Sequence, residues 1–109
     1  QPDFTAWNKL DRRGVIVTAK SNDSSNDDNI DFVSRCFYPT LNVEEDPVTG
    51  SAHCIIAPYW AAQLNKTIVV GKQVSARSGE VHCQLLGDRV VLTGQCVDYM
   101  QGEIRLPAY

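Results

Sequence analysis

Between Ala52 and Leu64 the chain carries an apolar residue at almost every position: Ala52, Cys54, Ile55, Ile56, Ala57, Tyr59, Trp60, Ala61, Ala62 and Leu64. A helix that is apolar all round is enclosed by protein rather than laid on a surface. The stretch predicts a buried helix over 50–64, with Asn65 as its C-cap. Pro58 lies inside it and predicts a kink near Cys54, whose carbonyl the proline ring cannot use. The run falls short of the ~18 apolar residues that a membrane span requires, and no other run is longer.

The remaining sequence must supply the enclosure. Residues 2–12 predict a short helix with Phe4, Trp7 and Leu10 on one face, ended by Gly14. Residues 15–19 are β-branched and predict a strand. Residues 21–29 contain no apolar side chain and predict a solvated loop. Residues 30–37 return to strand composition, with Phe32, Ser34 and Cys36 on one face and Val33, Arg35 and Phe37 on the other. Pro39 and Pro47 predict irregular chain over 38–49. Beyond the helix, strands are expected over 67–75, 80–86, 89–93, 95–99 and 103–106, with Gly87-Asp88 as a two-residue hairpin turn. These elements predict an α+β fold, an antiparallel β-sheet curled around one central buried α-helix. A flat sheet covering one face would leave the helix a polar side, and this helix has almost none.

The chain has 109 residues, enough for one domain with a core that needs no metal or disulfide staples. Ten basic residues against thirteen acidic ones give a net charge of −3. With Arg12-Arg13 the longest basic run, neither nucleic acid nor an anionic membrane is an expected partner. Cys36, Cys54, Cys83 and Cys96 are dispersed and form no CxxC pair. They are expected to be buried free thiols in a reducing compartment, with a cytoplasmic location. The N-terminal Gln-Pro-Asp-Phe does not read as a signal peptide, and the sequons at Asn22 and Asn65 are read as chance matches. His53, His82 and the cysteines lack the close spacing of a zinc site, so no metal is expected. Nor is there a Gly-x-Ser-x-Gly elbow or a phosphate-cradling glycine loop, and no cofactor is expected.

The chemistry is concentrated in Glu44-Glu45-Asp46-Pro47-Val48-Thr49-Gly50-Ser51-Ala52-His53, which leads into the helix. Asp46, Thr49 and Ser51 are all residues that cap helix starts. The same residues suit an anion pocket: free amides of Gly50, Ser51 and Ala52 at a helix N-terminus attract a carboxylate or phosphate. Asp46 either caps those amides or handles protons beside a substrate. His53 is either a core histidine or a ligand contact two positions from Ser51, and His82 is structural or exposed.

Three runs bring a family into view. They are 31–39 (Asp-Phe-Val-Ser-Arg-Cys-Phe-Tyr-Pro), 45–54 (Glu-Asp-Pro-Val-Thr-Gly-Ser-Ala-His-Cys) and Pro58-Tyr59-Trp60. Together with 14–19, 73–80 and 88–90, they resemble the PhzF-like family, the phenazine-biosynthesis isomerases and their relatives. The resemblance covers nearly the whole chain. It implies a diaminopimelate-epimerase-like fold, in which two pseudo-symmetric lobes each wrap a sheet around a central helix and hold substrate between them. It implies cofactor-independent proton transfer on a small carboxylic acid. Thr49 stands where the epimerase and proline-racemase relatives carry a catalytic cysteine, which favours the PhzF-like branch. By resemblance, Asp46, Gly50 and Ser51 match the substrate-lining positions of the second lobe; the catalytic candidates are Asp46 and Ser51, and the candidates for binding substrate are Thr49, Gly50, Ser51 and His53. The family's glutamate base and Gly-His pair belong to the first lobe. The chain therefore resembles the C-terminal lobe, 1–109, without that lobe's opening strand. Where the family usually has Arg-Gly-Gly, this sequence has Arg77-Ser78-Gly79.

Two functions are expected. One is an isomerase lobe whose base comes from another polypeptide. The other is a non-catalytic binding or interaction protein derived from such a lobe. A flank without its facing lobe and an open sheet edge also lead to an expectation of a homo-oligomer.

Overall fold

The computed structural model describes residues 1–22 and 29–108. The polar loop expected over 21–29 therefore falls mostly outside the described residues. The order of elements is α1 (Phe4–Trp7), β1 (Val15–Lys20), β2 (Phe32–Tyr38), β3 (Val43–Asp46), α2 (Gly50–Leu64), β4 (Ile68–Gln73), β5 (Gly79–Leu86) and β6 (Arg89–Thr93). The architecture is α+β, a six-stranded sheet with one main helix.

Strand order is β1-β2-β4-β5-β6, with β3 pairing β2 off that path. All neighbours are antiparallel except β2 and β4, which run parallel, Phe32 opposite Gly71 and Ser34 opposite Gln73. The sheet is thus mixed, because β2 reaches β4 through α2, and a helical crossover returns the chain in the same direction. Its first half pairs with β4 and its second half with β3, Cys36 opposite Asp46. The ends of β3 and β4 therefore meet along one edge of β2, next to the start of α2.

Local signals placed several elements closely. Helix α2 occupies 50–64, and Asn65 ends it in the left-handed conformation, its N–H bonded to the Ala61 and Ala62 carbonyls. The helix runs through Pro58 as one element. Gly87-Asp88 joins β5 to β6 as a two-residue turn, Leu86 opposite Arg89 and Gly87 at φ 58°. Strand β2 alternates as expected. Phe32, Ser34 and Cys36 are buried beneath α2's side of the sheet, and Phe37 lies buried on the other. There the rings of Phe4 and Trp7 pack on Phe37 at 6.0 and 5.4 Å between centroids. Arg35 crosses the same ring at 4.9 Å and grips Glu45 with two hydrogen bonds of 2.8 and 2.9 Å.

Other expectations are corrected. The N-terminal helix is four residues, Phe4–Trp7, and Leu10 is exposed. The stretch between Pro39 and Pro47 holds a 3-10 turn (Pro39–Leu41) and strand β3, because neither proline falls on the ladder that β3 forms. No ladder forms over 94–108, where two strands were expected; Val97 and Tyr99 are almost fully exposed. Helix α2 is not enclosed on all sides. Ala52, His53, Ile56, Ala57, Trp60 and Ala61 face the sheet, while Ile55 and Tyr59 are exposed at 68% and 54%. One sheet covers one helical stripe, so the outer apolar face is left open. Two of the four cysteines, Cys54 and Cys96, are exposed, although all four are free.

The helix is tied to the sheet by packing and by a few polar contacts. Phe32 stacks on Trp60 with planes 8° apart, and Trp60 Nε1–H donates to Thr18 Oγ1 at 2.9 Å. Asp31 locks the start of the parallel pair. Its backbone N–H donates to the Val70 carbonyl, its Oδ2 accepts from Val70 N–H, and Oδ1 meets Lys66 Nζ. Asp31→Ala leaves the Val70 amide without its acceptor and is expected to cost about 2 kcal/mol, read from urea unfolding.

Candidate active site

Asp46 closes β3, Pro47 and Val48 turn the chain, and Thr49 enters α2 in extended conformation, φ −120° and ψ 106°. Thr49 is the N-cap residue but makes no side-chain cap hydrogen bond. Its hydroxyl instead hydrogen-bonds Asp46 Oδ2. The capping role expected for Thr49 is corrected accordingly. The first amides of α2, those of Gly50, Ser51 and Ala52, are left without a capping side chain from Thr49, which is the condition for anion attraction at a helix start.

The loop is held from β4. The fully buried Gln73 accepts from Thr49 N–H through Oε1 at 2.8 Å. Its Nε2 donates to the Asp46 carbonyl at 2.8 Å and to Thr49 Oγ1 at 3.0 Å. Ser75, two residues on, donates to the Pro47 carbonyl at 2.9 Å. Neither Gln73 nor Ser75 was singled out as a site residue from the sequence. The available signal was two polar side chains two apart, one closing β4 and one just beyond it.

The named candidates separate into two groups. Asp46, Thr49, Gly50 and Ser51 are brought together at the head of α2, with Ser51 exposed and Gly50 on the wall of a groove of about 670 Å³. Val48, Ser78, Gly79, Glu80, His82 and Leu92 are among the other residues around that groove. Gly79 permits the approach of the two walls, since a Cβ there would stand 2.3 Å from Val48 Cγ2. His53 is not at the rim. It is fully buried, with Nδ1 2.7 Å from the Thr49 carbonyl, and is set behind the other candidates rather than beside them. The carbonyl can only accept, so Nδ1 carries the proton and the buried Nε2 has no hydrogen-bond partner. The reason is helical geometry: 53 shares the sheet-facing stripe with 56, 57 and 60, whereas 51 does not.

The thiols nearby are poor nucleophiles. Burial raises Cys36 above the ordinary thiol value, against an opposing hydrogen bond to Thr49. Burial likewise pushes the Cys83 thiol up to about 11. Both are protonated at neutral pH. Among the described residues, no group of three or more His, Cys, Asp or Glu side chains could hold a metal ion. No helix among them is long and apolar enough to cross a membrane.

This mixed sheet bearing one helix superposes on solved structures of PhzF-type proteins. A PhzF-family protein from Enterococcus faecalis superposes with a TM-score of 0.74 at 48% identity, covering 84% of this chain and 34% of that one. A putative phenazine biosynthesis PhzC/PhzF protein from Clostridium difficile superposes with a TM-score of 0.79 at 42% identity, covering 97% and 39%.

The sequence profile of the phenazine biosynthesis-like proteins, PhzC-PhzF, matches residues 1–102, and the chain belongs to that family. Relatives include an uncharacterized isomerase of Pseudomonas aeruginosa, 51% identical over 106 residues, and one of Halalkalibacterium halodurans, 46% identical over 105. These matches cover 97% and 96% of this chain and 38% of each relative. A mouse phenazine biosynthesis-like domain-containing protein is 41% identical over 93 residues, covering 84% of this chain and 32% of that protein. The chain thus spans about a third of the length of these relatives.

Proposed function

We propose that this chain is the C-terminal lobe of a PhzF-like isomerase and holds one side of a small carboxylic acid during cofactor-independent proton transfer. The observation that carries this reading is the head of α2. The first turn of α2 has no side-chain cap from Thr49, Gly50 stands on the wall of a groove, and Thr49 hydrogen-bonds the Asp46 carboxylate instead. In this reading the substrate's acid group lies on the amides of Gly50 and Ser51, with the Ser51 hydroxyl and Thr49 at its edge. Asp46 moves or receives the proton. The facing base comes from another polypeptide segment, and the lobe works in the cytoplasm.

Calorimetric titration with acetate is the direct test of the anion pocket. Ser51→Ala is expected to weaken binding about tenfold or more, the worth of one hydrogen bond to a charged group. Equal affinity in both forms removes Ser51 from the site. On its own the chain is expected to show no useful proton exchange into a dihydroaromatic hydroxy acid, since one positioned acid–base group contributes ~10²–10⁴-fold and the facing side is open to water. Solvent deuterium entering that compound at an enzymatic rate, and lost in Asp46→Asn, would overturn the assignment of the base to another segment.

The open apolar face of α2 and the exposed side chains of 97–106 support a homo-oligomeric state. Sedimentation at high micromolar concentration is expected to report a dimer or larger, and a clean monomer would refute it.

A further inference from the structure

We infer that Gln73 is the positioning residue of this site. Its carboxamide holds the turn from Asp46 to Gly50 and sets the direction in which the Thr49 hydroxyl donates. The inference rests on the reading of the α2 head as the substrate-facing surface.

The orientation of the carboxamide follows from its partners. Thr49 N–H is a donor, so the atom 2.8 Å away must be the amide oxygen, Oε1. The NH₂ group then faces the Asp46 carbonyl at 2.8 Å and Thr49 Oγ1 at 3.0 Å. An amide NH₂ has no lone pair to accept with, so Thr49 Oγ1 is the acceptor of that bond. The single hydroxyl proton of Thr49 then goes to the carboxylate oxygen among its remaining neighbours, Asp46 Oδ2, a stronger acceptor than the neutral Cys36 and Tyr38 side chains beside it. One carboxamide thus fixes the backbone at both ends of the turn and the hydroxyl in its middle. Gln73 can do this because it is the last core-facing residue of β4, opposite Ser34, where β2 changes partner from β4 to β3. Ser75 adds a second clamp, at the Pro47 carbonyl.

A side chain that merely fills space and one that donates to Thr49 behave differently on substitution. Gln73→Met keeps the length and loses every hydrogen bond. Gln73→Glu keeps an acceptor for Thr49 N–H, and it recovers a donor only when its new carboxyl is protonated. The titratable groups around that position are Asp46 on the turn, Cys36 and Tyr38 on β2 near Thr49, and His53 on α2. All four are common to the chains compared, so at each pH a variant is read against the natural chain at that same pH, and recovery means a smaller difference at pH 5 than at pH 7.5.

The experiment is nuclear magnetic resonance on the whole 109-residue chain at pH 7.5 and pH 5, following the amides of Thr49, Gly50 and Ser51 while inorganic sulfate is added. In Gln73→Met all three resonances are expected to move at both pH values, and sulfate to bind about tenfold more weakly. In Gln73→Glu they are expected to be displaced at pH 7.5 and to return toward their natural positions at pH 5. Burial raises the new carboxyl's pKa into that interval. Natural resonances and natural sulfate affinity in Gln73→Met would overturn the inference, as would a Gln73→Glu spectrum with no recovery on acidification. Should Gln73→Met not fold, the reversal in Gln73→Glu decides. Should sulfate leave Gly50 and Ser51 unmoved in the natural chain, the anion pocket fails, while the amide positions still decide the role of Gln73.

Discussion

Gly71→Ala is expected to lower stability by about 3 kcal/mol, or to prevent folding outright, at a position with no part in the proposed chemistry. A Cβ on Gly71 would stand 2.4 Å from Phe32 Cζ, 2.6 Å from Phe32 Cε2 and 3.0 Å from His53 Nε2. Phe32 cannot retreat, because its ring is fully buried and stacked on Trp60. Nor can His53, whose other nitrogen is bonded to Thr49. The added methyl must therefore part β2 from β4 or lift the head of α2, and either movement disturbs the site. Gly94→Ala is the control, since no atom lies within 4 Å of a Cβ there. Thermal unfolding of both variants checks this. A Gly71→Ala chain as stable as the Gly94→Ala chain would contradict the packing described for Phe32. Gly71→Ala combined with Phe32→Leu should recover part of the loss, because the two residues are in direct contact and their effects do not add.

Acid is expected to weaken the fold at mild pH through His53. Burial lowers the pKa of this imidazole, and the Thr49 carbonyl that accepts from Nδ1 offsets only part of that effect. In the unfolded chain the group titrates near ~6.5. Above that pH it is neutral in both states, and the folded chain has its full stability. As pH falls below it, the unfolded chain takes up a proton that the folded chain resists. Stability is therefore lost at up to ~1.4 kcal/mol per pH unit until the folded pKa is reached. Urea midpoints are expected to fall from pH 7.5 through 6 to 5, and His53→Gln to flatten the fall. A natural chain with constant midpoints over the interval would show that His53 is not buried in neutral form. Glu45 does not intrude on this window. Its hydrogen bonds from Arg35 hold it below the usual carboxylate range, so its contribution is lost only at lower pH, and solvent screening keeps that contribution small.

Much of the candidate site was legible in the order of residues. Asp46, Thr49, Gly50 and Ser51 are neighbours along the chain, and a helix start collects them whatever the rest of the molecule does. His53 belonged to the same stretch and was assigned to it, yet the helix turns it toward the sheet and Ser51 away from it. Gln73 and Ser75 lie more than twenty residues from the turn they hold. Nothing local to the run Lys72-Gln73-Val74-Ser75, where β4 ends, tells which backbone its polar side chains will meet.

The same division runs through the fold. The limits of α2, its end at Asn65, the Gly87-Asp88 turn and the two faces of β2 follow from interactions spanning a few residues, where side-chain period and backbone preference act directly. The parallel pairing of β2 with β4, the strand β3 between two prolines, the unpaired stretch 94–108 and the one-sided burial of α2 depend on which segments lie side by side. An apolar residue announces that it can be covered, not that a covering surface is present. Ile55 and Tyr59 read the same in sequence as Ile56 and Trp60. They differ only in that the sheet lies against one side of the helix, a fact set by contacts between residues far apart in the chain.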